Sequence, residues 1–318
     1  MDAIKVAIIG YGHLGKWHAT KVEKSGKAKL YAIVESFPTN QDAAKIAHPQ
    51  AKVVSSIDEV MHEIDAAFVV TPTSVHASLV QKLLAANKHV FCEKPLTSEL
   101  IDAQKISTLV RDSKLVLQVG HSERFHEAWE IIQNKYPEYL KAPVTMRIAR
   151  YAPFKGRATD VDVVSDVMIH DMDLMVFLLQ DKPKFVEASG LKIRTSKWDH
   201  ALCHFTFKSG SVVSILSSRN HVKEVREVEI TSHAGCLYLD LMTCEMFFAP
   251  KDKTSQGEYV EKIAYNKRDH LQLEHDAFYN AILGLGKIPV TAHDGVYAVQ
   301  MIDAALQSME SGEKVMIS

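Results

Sequence analysis

The segment that is most informative about chemistry lies near the amino terminus, where residues 10–15 read Gly-Tyr-Gly-His-Leu-Gly. In this pattern the first glycine permits a tight turn, the second lets the backbone approach a pyrophosphate, and the third allows a helix to pack closely on a strand. The helix that follows offers unpaired N–H groups and the positive end of its dipole to phosphates. An acidic residue follows 20 residues after the last glycine. This spacing predicts a dinucleotide site formed by Gly10, Gly12, His13, Leu14, Gly15 and Glu35.

The acidic residue also predicts which dinucleotide is accepted. The carboxylate of Glu35 can accept hydrogen bonds from the adenosine ribose, whereas it would repel a 2′-phosphate at the same position. The sequence therefore favours NAD over NADP. A glycine turn followed by an unrelated acid is the alternative, and the strand before the glycines and the helix after them argue against it.

A lysine between Glu93 and Pro95 is the first candidate for catalysis. Glu93-Lys94-Pro95 follows a short apolar run, and open α/β sheets bind ligands at the carboxyl ends of their strands. Pro95 restricts Lys94 to extended geometry, which would direct the ammonium group into such a crevice. There it could donate a hydrogen bond to a reacting oxygen or act as an acid–base group. A solvated lysine after a strand is the ordinary alternative.

Three further polar residues, Asp166, His170 and Asp173, recur at i, i+4 and i+7 of an otherwise apolar segment. An α-helix with about 3.6 residues per turn would place them on one face. Histidine is the residue type that ordinarily ionises near neutral pH, so His170 is the best candidate base of the three, and Asp166 could share a substrate hydroxyl or tune the imidazole. The same residues could instead be a buried histidine with two surface acids, or the ligands of a metal.

Alternating strand and helix signals position the glycine motif and the lysine. Such alternation predicts a doubly wound parallel sheet of the Rossmann type over residues 1–121, followed by a different domain over 122–318. The strands expected in the first domain are residues 5–9, 30–34, 66–70, 89–92 and 114–119.

The second domain is expected to be α+β, with a large, mostly antiparallel, open-faced sheet. Its predicted strands follow one another with little helix between them, at residues 144–150, 185–193, 201–207, 211–216, 225–232 and 235–240. Helices at about 271–312 are expected to pack back toward the first domain, and residues 251–258 to form a mobile surface loop. The uncovered face of such a sheet favours a homodimer or homotetramer.

Bulk composition excludes several classes of function. The chain has 318 residues with 37 basic and 39 acidic side chains, so it carries no electrostatic footprint for nucleic acid or an anionic membrane. The four cysteines have no paired spacing, which argues against a disulfide framework and a zinc site. No apolar run reaches the roughly 18 residues that a membrane span needs, and no signal peptide is evident. A cytoplasmic location is therefore expected.

Several short motifs together resemble the Gfo/Idh/MocA family of sugar and cyclitol oxidoreductases. They are His18 after the glycines, Thr71-Pro72 with His76, Glu93-Lys94-Pro95, Gly120, Arg124-Phe125, and Asp166, His170 and Asp173. Val163-Val164-Ser165 replaces a common glycine run, and residues 120–125 and 162–174 are similar to the branch that oxidises the 3-hydroxyl of UDP-N-acetylglucosamine, a step of lipopolysaccharide biosynthesis.

The resemblance implies hydride transfer at a carbinol carbon, a nicotinamide cofactor, and no metal. It assigns Lys94, Asp166 and His170 to catalysis and adds cofactor contacts from Thr71, Pro72, His76, Glu93 and Lys94. A basic cluster formed by Arg147, Arg150, Lys155 and Arg157 could hold a diphosphate, although a solvated strand and loop face is an equal interpretation. The substrate-binding residues that we expect are Lys94, Arg124, Arg150, Arg157, Asp166 and His170.

The leading hypothesis is oxidation of a nucleotide sugar at its 3-hydroxyl, which gives a 3-keto sugar for a later aminotransferase. An inositol or free-sugar dehydrogenase is the second hypothesis, and its substrate would carry no phosphate. A cofactor-bound regulator without catalysis is the third, and the presence of Lys94, Asp166 and His170 argues against it.

Overall fold

The structure is a computed structural model that describes residues 3–111, 113–251 and 261–317. The chain folds as two compact units. The first combines the amino-terminal part up to Ser122 with Asp269–Val299, and the second combines Glu123–Arg268 with the chain from Gln300 onward. The loop expected at residues 251–258 lies, apart from Lys251, outside the described residues.

The first unit contains a six-stranded parallel sheet. In chain order its elements are β1 (Ile4–Ile9), α1 (His13–Lys24), β2 (Ala28–Val34), α2 (Pro38–Ala47), β3 (Lys52–Val54), β4 (Ala66–Val69), α3 (His76–Ala85), β5 (His89–Glu93), α4 (Leu100–Arg111) and β6 (Leu117–Gly120). The strand order β3-β2-β1-β4-β5-β6 is that of a doubly wound Rossmann sheet, as the sequence predicts. The strand β3 has only three residues, too few to give a periodic signal.

The core of the first unit explains why its strands read as continuous apolar runs. In β4 all four residues are buried, and in β1 only Lys5 is exposed. Strands of a parallel sheet with helices on both faces are buried on both sides, so alternation is lost. The order of the strands reverses beside β1, and it is at such a reversal that the carboxyl ends of strands open a crevice for ligands.

The second unit contains a nine-stranded mixed sheet. The elements after β6 are α5 (Glu127–Lys135), β7 (Thr145–Tyr151), α6 (Ile169–Leu179), β8 (Pro183–Leu191), β9 (His200–Phe207), β10 (Val212–Ser218), β11 (Val225–Ser232), β12 (Gly235–Asp240), β13 (Glu245–Pro250), β14 (Glu261–Ala264), α7 (His270–Ile282), α8 (Ala292–Ser311) and β15 (Val315–Met316). The helix α7 belongs to the first unit, and α8 begins there and continues into the second.

The nine-stranded sheet is antiparallel in every pairing but one. Its order is β14-β13-β12-β11-β7-β10-β9-β8-β15, and β7 and β10 run parallel, with Ser218 beside Tyr151. In β9 buried residues alternate with half-buried or exposed ones. One face of the sheet therefore packs into the core and the other stays open, as predicted.

The segment that carries Asp166 and His170 differs from the expected regular helix. A π-helical turn, Val164–Met168, precedes α6, so Asp166 lies in the wider turn while His170 and Asp173 lie in the α-helix. Such turns occur frequently at functional sites. Among the described residues, no helix has both the length and the apolar character to cross a membrane.

Candidate active site

The glycine loop after β1 has the shape that a dinucleotide requires. Gly10 has φ +93°, which only glycine adopts without strain, and a Cβ there would lie 2.6 Å from the carbonyl oxygen of Val70. A Cβ on Gly15 would overlap the carbonyl oxygen of Gly10. A Cβ on Gly12 would meet nothing within 4 Å, so the space beside this residue is open to a ligand.

The first turn of α1 presents its N–H groups beside this loop. Gly12 is the N-cap and provides no side-chain hydrogen bond, and His13 and Leu14 lie exposed in the first turn. The N–H groups of a first turn have no partner within the helix, and here no side chain caps them. They are therefore available to a pyrophosphate.

Glu35 directly follows β2, and its carboxylate is hydrogen-bonded to the glycine loop. Oε2 accepts the N–H of Tyr11 at 2.8 Å and Oε1 accepts the N–H of Phe37 at 2.9 Å. Burial raises the pKa of this carboxyl group, but the N–H groups of Phe37 and Tyr11 outweigh burial, and the resulting pKa lies below the ordinary value. The residue is therefore an anion at neutral pH.

The residues after β4 complete the part of the site that faces this loop. Thr71 Oγ1 is buried and has no hydrogen-bond partner in the described part of the chain. His76 is almost fully buried, and its two ring nitrogens lie 2.9 Å from the carbonyl oxygen of Thr71 and 2.8 Å from that of Pro95. His76 thus joins the segment after β4, which includes the exposed Pro72, to the segment after β5. The open space at Gly12, the anionic Glu35 and the unpaired Thr71 hydroxyl fit an adenine dinucleotide.

Glu93 and Lys94 lie at the end of β5, as the sequence predicts. The carboxylate of Glu93 is 3.0 Å from Nε2 of His18, and it accepts the backbone N–H of Lys94 at 3.2 Å. A Cβ on Gly120, the residue that pairs with Glu93 on β6, would lie 3.0 Å from the same carboxylate. The glycine thus leaves room for Glu93, and Glu93 fixes the backbone from which Lys94 extends.

A charged cleft in the second unit contains Asp166. Five cationic side chains line it, against two acidic ones. Its lining residues are Arg150, Tyr151, Ala152, Pro153, Phe154, Lys155, Arg157, Asp166, Val167, Ser218, Arg219, Glu224 and Arg226. We call it the basic cleft. The parallel ends of β7 and β10 supply Arg150, Tyr151 and Ser218.

Arg150 reaches the basic cleft but its guanidinium is already engaged. Its Nε and Nη2 bind Asp171 at distances of 2.7 to 3.1 Å, and Nη1 lies 3.1 Å from Glu123. Burial opposes the charge of Arg150, yet the two carboxylates raise its pKa above the ordinary value. The pKa of Glu123 lies well below its usual range, because Arg150, His126 and His170 together outweigh burial. This arrangement places His170 within the field of a buried carboxylate.

Arg124 and Asp173 form a second buried ion pair. Nε and Nη2 of Arg124 donate to the two carboxylate oxygens of Asp173 at 2.7 and 2.5 Å. The guanidinium also lies 5.2 Å from the centre of the Phe177 ring. Two expected site residues therefore bind each other, and Asp173 does not line the basic cleft with Asp166.

The other expected cations divide by location. Arg157 is exposed, lines the basic cleft and has no ion-pair partner in the described part of the chain, whereas Lys155 pairs with Glu224. Arg147 lies outside the cleft lining and its nearest carboxylate, that of Glu229, is 3.4 Å away. Of the four basic residues that the sequence groups together, the fold thus brings three to one cleft.

The sequence analysis did not identify Arg219 or Asp199, the buried acid that binds it. Asp199 is fully buried, accepts the N–H groups of Ile193, Arg194 and Thr195, and binds Nε of Arg219 at 2.7 Å. Burial raises the pKa of Asp199, but these donors lower it far more. The parallel pairing of β7 with β10 brings Arg219 to the cleft, and no local sequence pattern predicts a parallel strand pair within an antiparallel sheet.

Comparison with known proteins agrees with this geometry. Residues 4–121 match the model of the Gfo/Idh/MocA oxidoreductase family with an NAD-binding Rossmann fold, and residues 144–238 match a Gfo/Idh/MocA C-terminal domain. A UDP-N-acetylglucosamine 3-dehydrogenase of Acidithiobacillus ferrooxidans is 31% identical over 96% of each chain. The chain belongs to the Gfo/Idh/MocA family of oxidoreductases.

Further matches include inositol dehydrogenases and solved structures. An inositol 2-dehydrogenase of Rhizobium meliloti is 25% identical over 99% of each chain. A crystal form of the Acidithiobacillus enzyme superposes with a TM-score of 0.89 at 27% identity and covers 98% of this chain and 99% of that one. A scyllo-inositol dehydrogenase of Lactobacillus casei with bound NAD(H) shares the fold, with a TM-score of 0.84 at 23% identity over 99% of each chain.

The family and the site geometry identify the activity at a coarse level. The chain is an NAD-dependent dehydrogenase that acts on a CH–OH group. Its cofactor is NAD, which the glycine loop, Glu35 and Thr71 would hold, and Glu93 with Lys94 lies at the end of β5 in the same unit.

Glu35 generates a testable prediction about cofactor choice. Replacement by alanine removes the anion that repels a 2′-phosphate, so Glu35→Ala should reduce the preference for NAD over NADP on the order of tenfold or more. Titration of the apoprotein with both cofactors measures this. Asp42→Ala, which removes an exposed acid from α2, should leave the preference unchanged. Equal affinities of the wild-type protein for the two cofactors would contradict the assignment.

Proposed function

We propose that this enzyme oxidises the 3-hydroxyl of a UDP-N-acetylhexosamine. The observation that carries the proposal is the basic cleft, in which Asp166 shares one lining with the exposed Arg157 and Arg226. A nucleotide sugar carries two phosphates beside the sugar ring, and guanidinium groups bind phosphate oxygens through paired N–H donors. The 31% identical relative, which acts on UDP-N-acetylglucosamine, supports the same substrate class.

The proposed chemistry divides among three side chains. Bound NAD⁺ supplies the hydride acceptor. His170 takes the proton of the substrate hydroxyl, and the ammonium group of Lys94 stabilises the negative charge that develops on that oxygen. Asp166, within the basic cleft, holds the hydroxyl in position. The buried carboxylate of Glu123 supports His170, since its negative charge favours the imidazolium that forms.

The inositol dehydrogenases among the relatives support a second candidate substrate, a cyclitol. A cyclitol has no phosphate, so it offers the exposed Arg157 and Arg226 hydroxyl oxygens but no anionic partner. A substrate panel decides between the two. Purified protein with NAD⁺ is assayed for NADH with nucleotide sugars, free sugars and cyclitols, and rapid oxidation of cyclitols without turnover of UDP-N-acetylglucosamine would refute the nucleotide-sugar proposal.

The roles of Lys94 and His170 predict the behaviour of two variants. Lys94→Ala and His170→Ala should each lower kcat by about 100-fold or more, the scale expected for a positioned acid or base. Binding of NAD⁺, measured by calorimetry or fluorescence, should survive both changes because the glycine loop, Glu35 and Thr71, which would hold most of the dinucleotide, are unchanged. Near-normal turnover in both variants would refute this mechanism even if the substrate were right.

The basic cleft predicts a separate effect on substrate binding. Arg157→Ala should raise KM for the nucleotide sugar more than it lowers kcat, because a diphosphate contact is made equally in the ground state and the transition state. Arg147→Ala is the matched control, since Arg147 is a partly exposed arginine of the same unit outside the cleft. Equal effects of the two changes on KM would remove the cleft as the diphosphate site.

We also propose that the enzyme is a homodimer or homotetramer. The open face of the nine-stranded sheet carries half-buried apolar side chains, among them Leu202, Leu216, Tyr238 and Phe247. Covering them with a second copy would remove apolar surface from water. Sedimentation at micromolar concentration should therefore give a mass of two or four chains, and a stable particle near 35.6 kDa would contradict the proposal.

A further inference from the structure

A buried cluster of polar side chains lies in the first unit. Of its members, only Glu93 is among the expected site residues. The members come from α1, β5, β6 and α7, and each is at most 8% exposed. We call them the acid cluster: His18, Glu93, Gln118, Glu274, His275 and Tyr279. The amide nitrogen of Gln118 donates to the carbonyl oxygen of Glu274 at 2.8 Å, which ties α7 to β6.

One string of hydrogen bonds in the acid cluster ends on Glu93. The Tyr279 hydroxyl is 3.3 Å from Nδ1 of His275, whose Nε2 is 2.8 Å from Nδ1 of His18. Burial, together with His18 and Lys21, holds the pKa of His275 well below its usual range, so that ring is neutral and donates once. The string is satisfied when Tyr279 donates to His275, His275 donates to His18, and Nε2 of His18 donates to Glu93.

The two carboxyl groups of the cluster therefore have opposite environments. Glu93 receives the N–H of Lys94 in addition to His18, and these donors outweigh burial and hold its pKa below the ordinary value. Neither carboxyl oxygen of Glu274 has a hydrogen-bond partner in the described part of the chain, and the residue is 1% exposed. A buried carboxylate without donors is costly, and protonation removes that cost.

We propose that Glu93 and Glu274 act as a carboxyl pair that carries one proton, borne by Glu274, and that Glu274 is a positioning residue for the reaction. With Glu274 neutral, Glu93 is the only anion of the pair, and it can hold the backbone of Lys94 without repulsion from a second charge. The catalytic part of this inference rests on the proposed function, whereas the location of the proton does not.

The charges around the pair support this division. Burial raises the pKa of Glu274 well above its ordinary value, and the negative charge of Glu93 raises it further. Among the described residues, no cation lies at hydrogen-bond distance from the carboxyl group of Glu274. The titratable groups that interact with Glu93 or His275 are Cys92 and Lys94 at the end of β5, His18 and Lys21 of α1, and Tyr279 of α7.

The first test measures stability against pH. The folded state holds a proton on Glu274 that the unfolded chain releases above a pH of about 4.3, so rising pH costs the wild-type protein stability. Glu274→Gln keeps the shape without an ionisable group. Its unfolding temperature should exceed that of the wild type by a margin that grows from pH 5 to pH 8 and reaches about 5 °C or more at pH 8. Glu99→Gln, the same change at an exposed site of this unit, should show no such divergence.

Infrared spectroscopy of the wild-type protein gives a readout that requires no stable variant. A protonated carboxyl band should persist at pH 8, where exposed carboxylates are ionised, and Glu274→Gln should abolish it while Glu93→Gln retains it. Absence of the band, or a difference in unfolding temperature that does not grow with pH, would overturn the placement of the proton.

Kinetics tests the positioning role separately. With the sugar that proves to be the substrate, kcat/KM of the wild type should fall at a lower alkaline pH than that of Glu274→Gln, because only the wild type can acquire the second anion. Superimposable alkaline limbs would overturn the positioning role. If no sugar is oxidised, the proposed function fails, and the stability and infrared measurements still decide where the proton lies.

Discussion

Buried carboxylates impose the strictest constraint on this chain, because a charge removed from water costs several kcal/mol unless donors replace the water. In the first unit, Glu35 is held by backbone N–H groups of the glycine loop and of its own turn, and Glu93 is held by His18 and the backbone of Lys94. The donors that stabilise these anions thus belong to the segments that the proposed function requires to be fixed for cofactor binding and catalysis. The same hydrogen bonds therefore stabilise the buried anions and hold the segments that the proposed function uses.

The second unit meets the constraint with arginines, to which backbone N–H groups are added at Asp199. Asp171, Asp173 and Asp199 are each buried against one guanidinium, from Arg150, Arg124 and Arg219. Arginine suits this use because its planar group binds a carboxylate through two N–H groups and remains charged when buried. Removing either member of such a pair would leave an unpaired buried charge, so these residues are expected to be necessary for folding whatever their part in substrate binding.

Glu274 differs from the other buried acids of the chain discussed above. It is at least as buried as Glu93, yet no residue in the described parts of the chain donates a hydrogen bond to its carboxyl group. Neutralisation by a proton satisfies the constraint where hydrogen bonds do not. The unit therefore keeps two acids in one cluster with a single negative charge, next to the lysine to which the proposed mechanism gives the developing alkoxide.

The sequence by itself determined the features that depend on short spacing. The glycine loop with Glu35, the lysine before Pro95 and the run from Asp166 to Asp173 are readable because local geometry fixes which side chains can face a ligand. The family, the cofactor and the two-part architecture follow from them.

Tertiary structure alone decided which charged side chains are available to a ligand, since ion pairing joins residues far apart in the chain. It showed that Arg124, Arg150 and Arg219 are each bound to a buried acid, that Arg157 lies exposed in the basic cleft, and that the carboxyl group of Glu274 lies buried with no hydrogen-bond donor among the described residues. Burial and long-range pairing are properties of the packed chain, so no local pattern of residues can predict them.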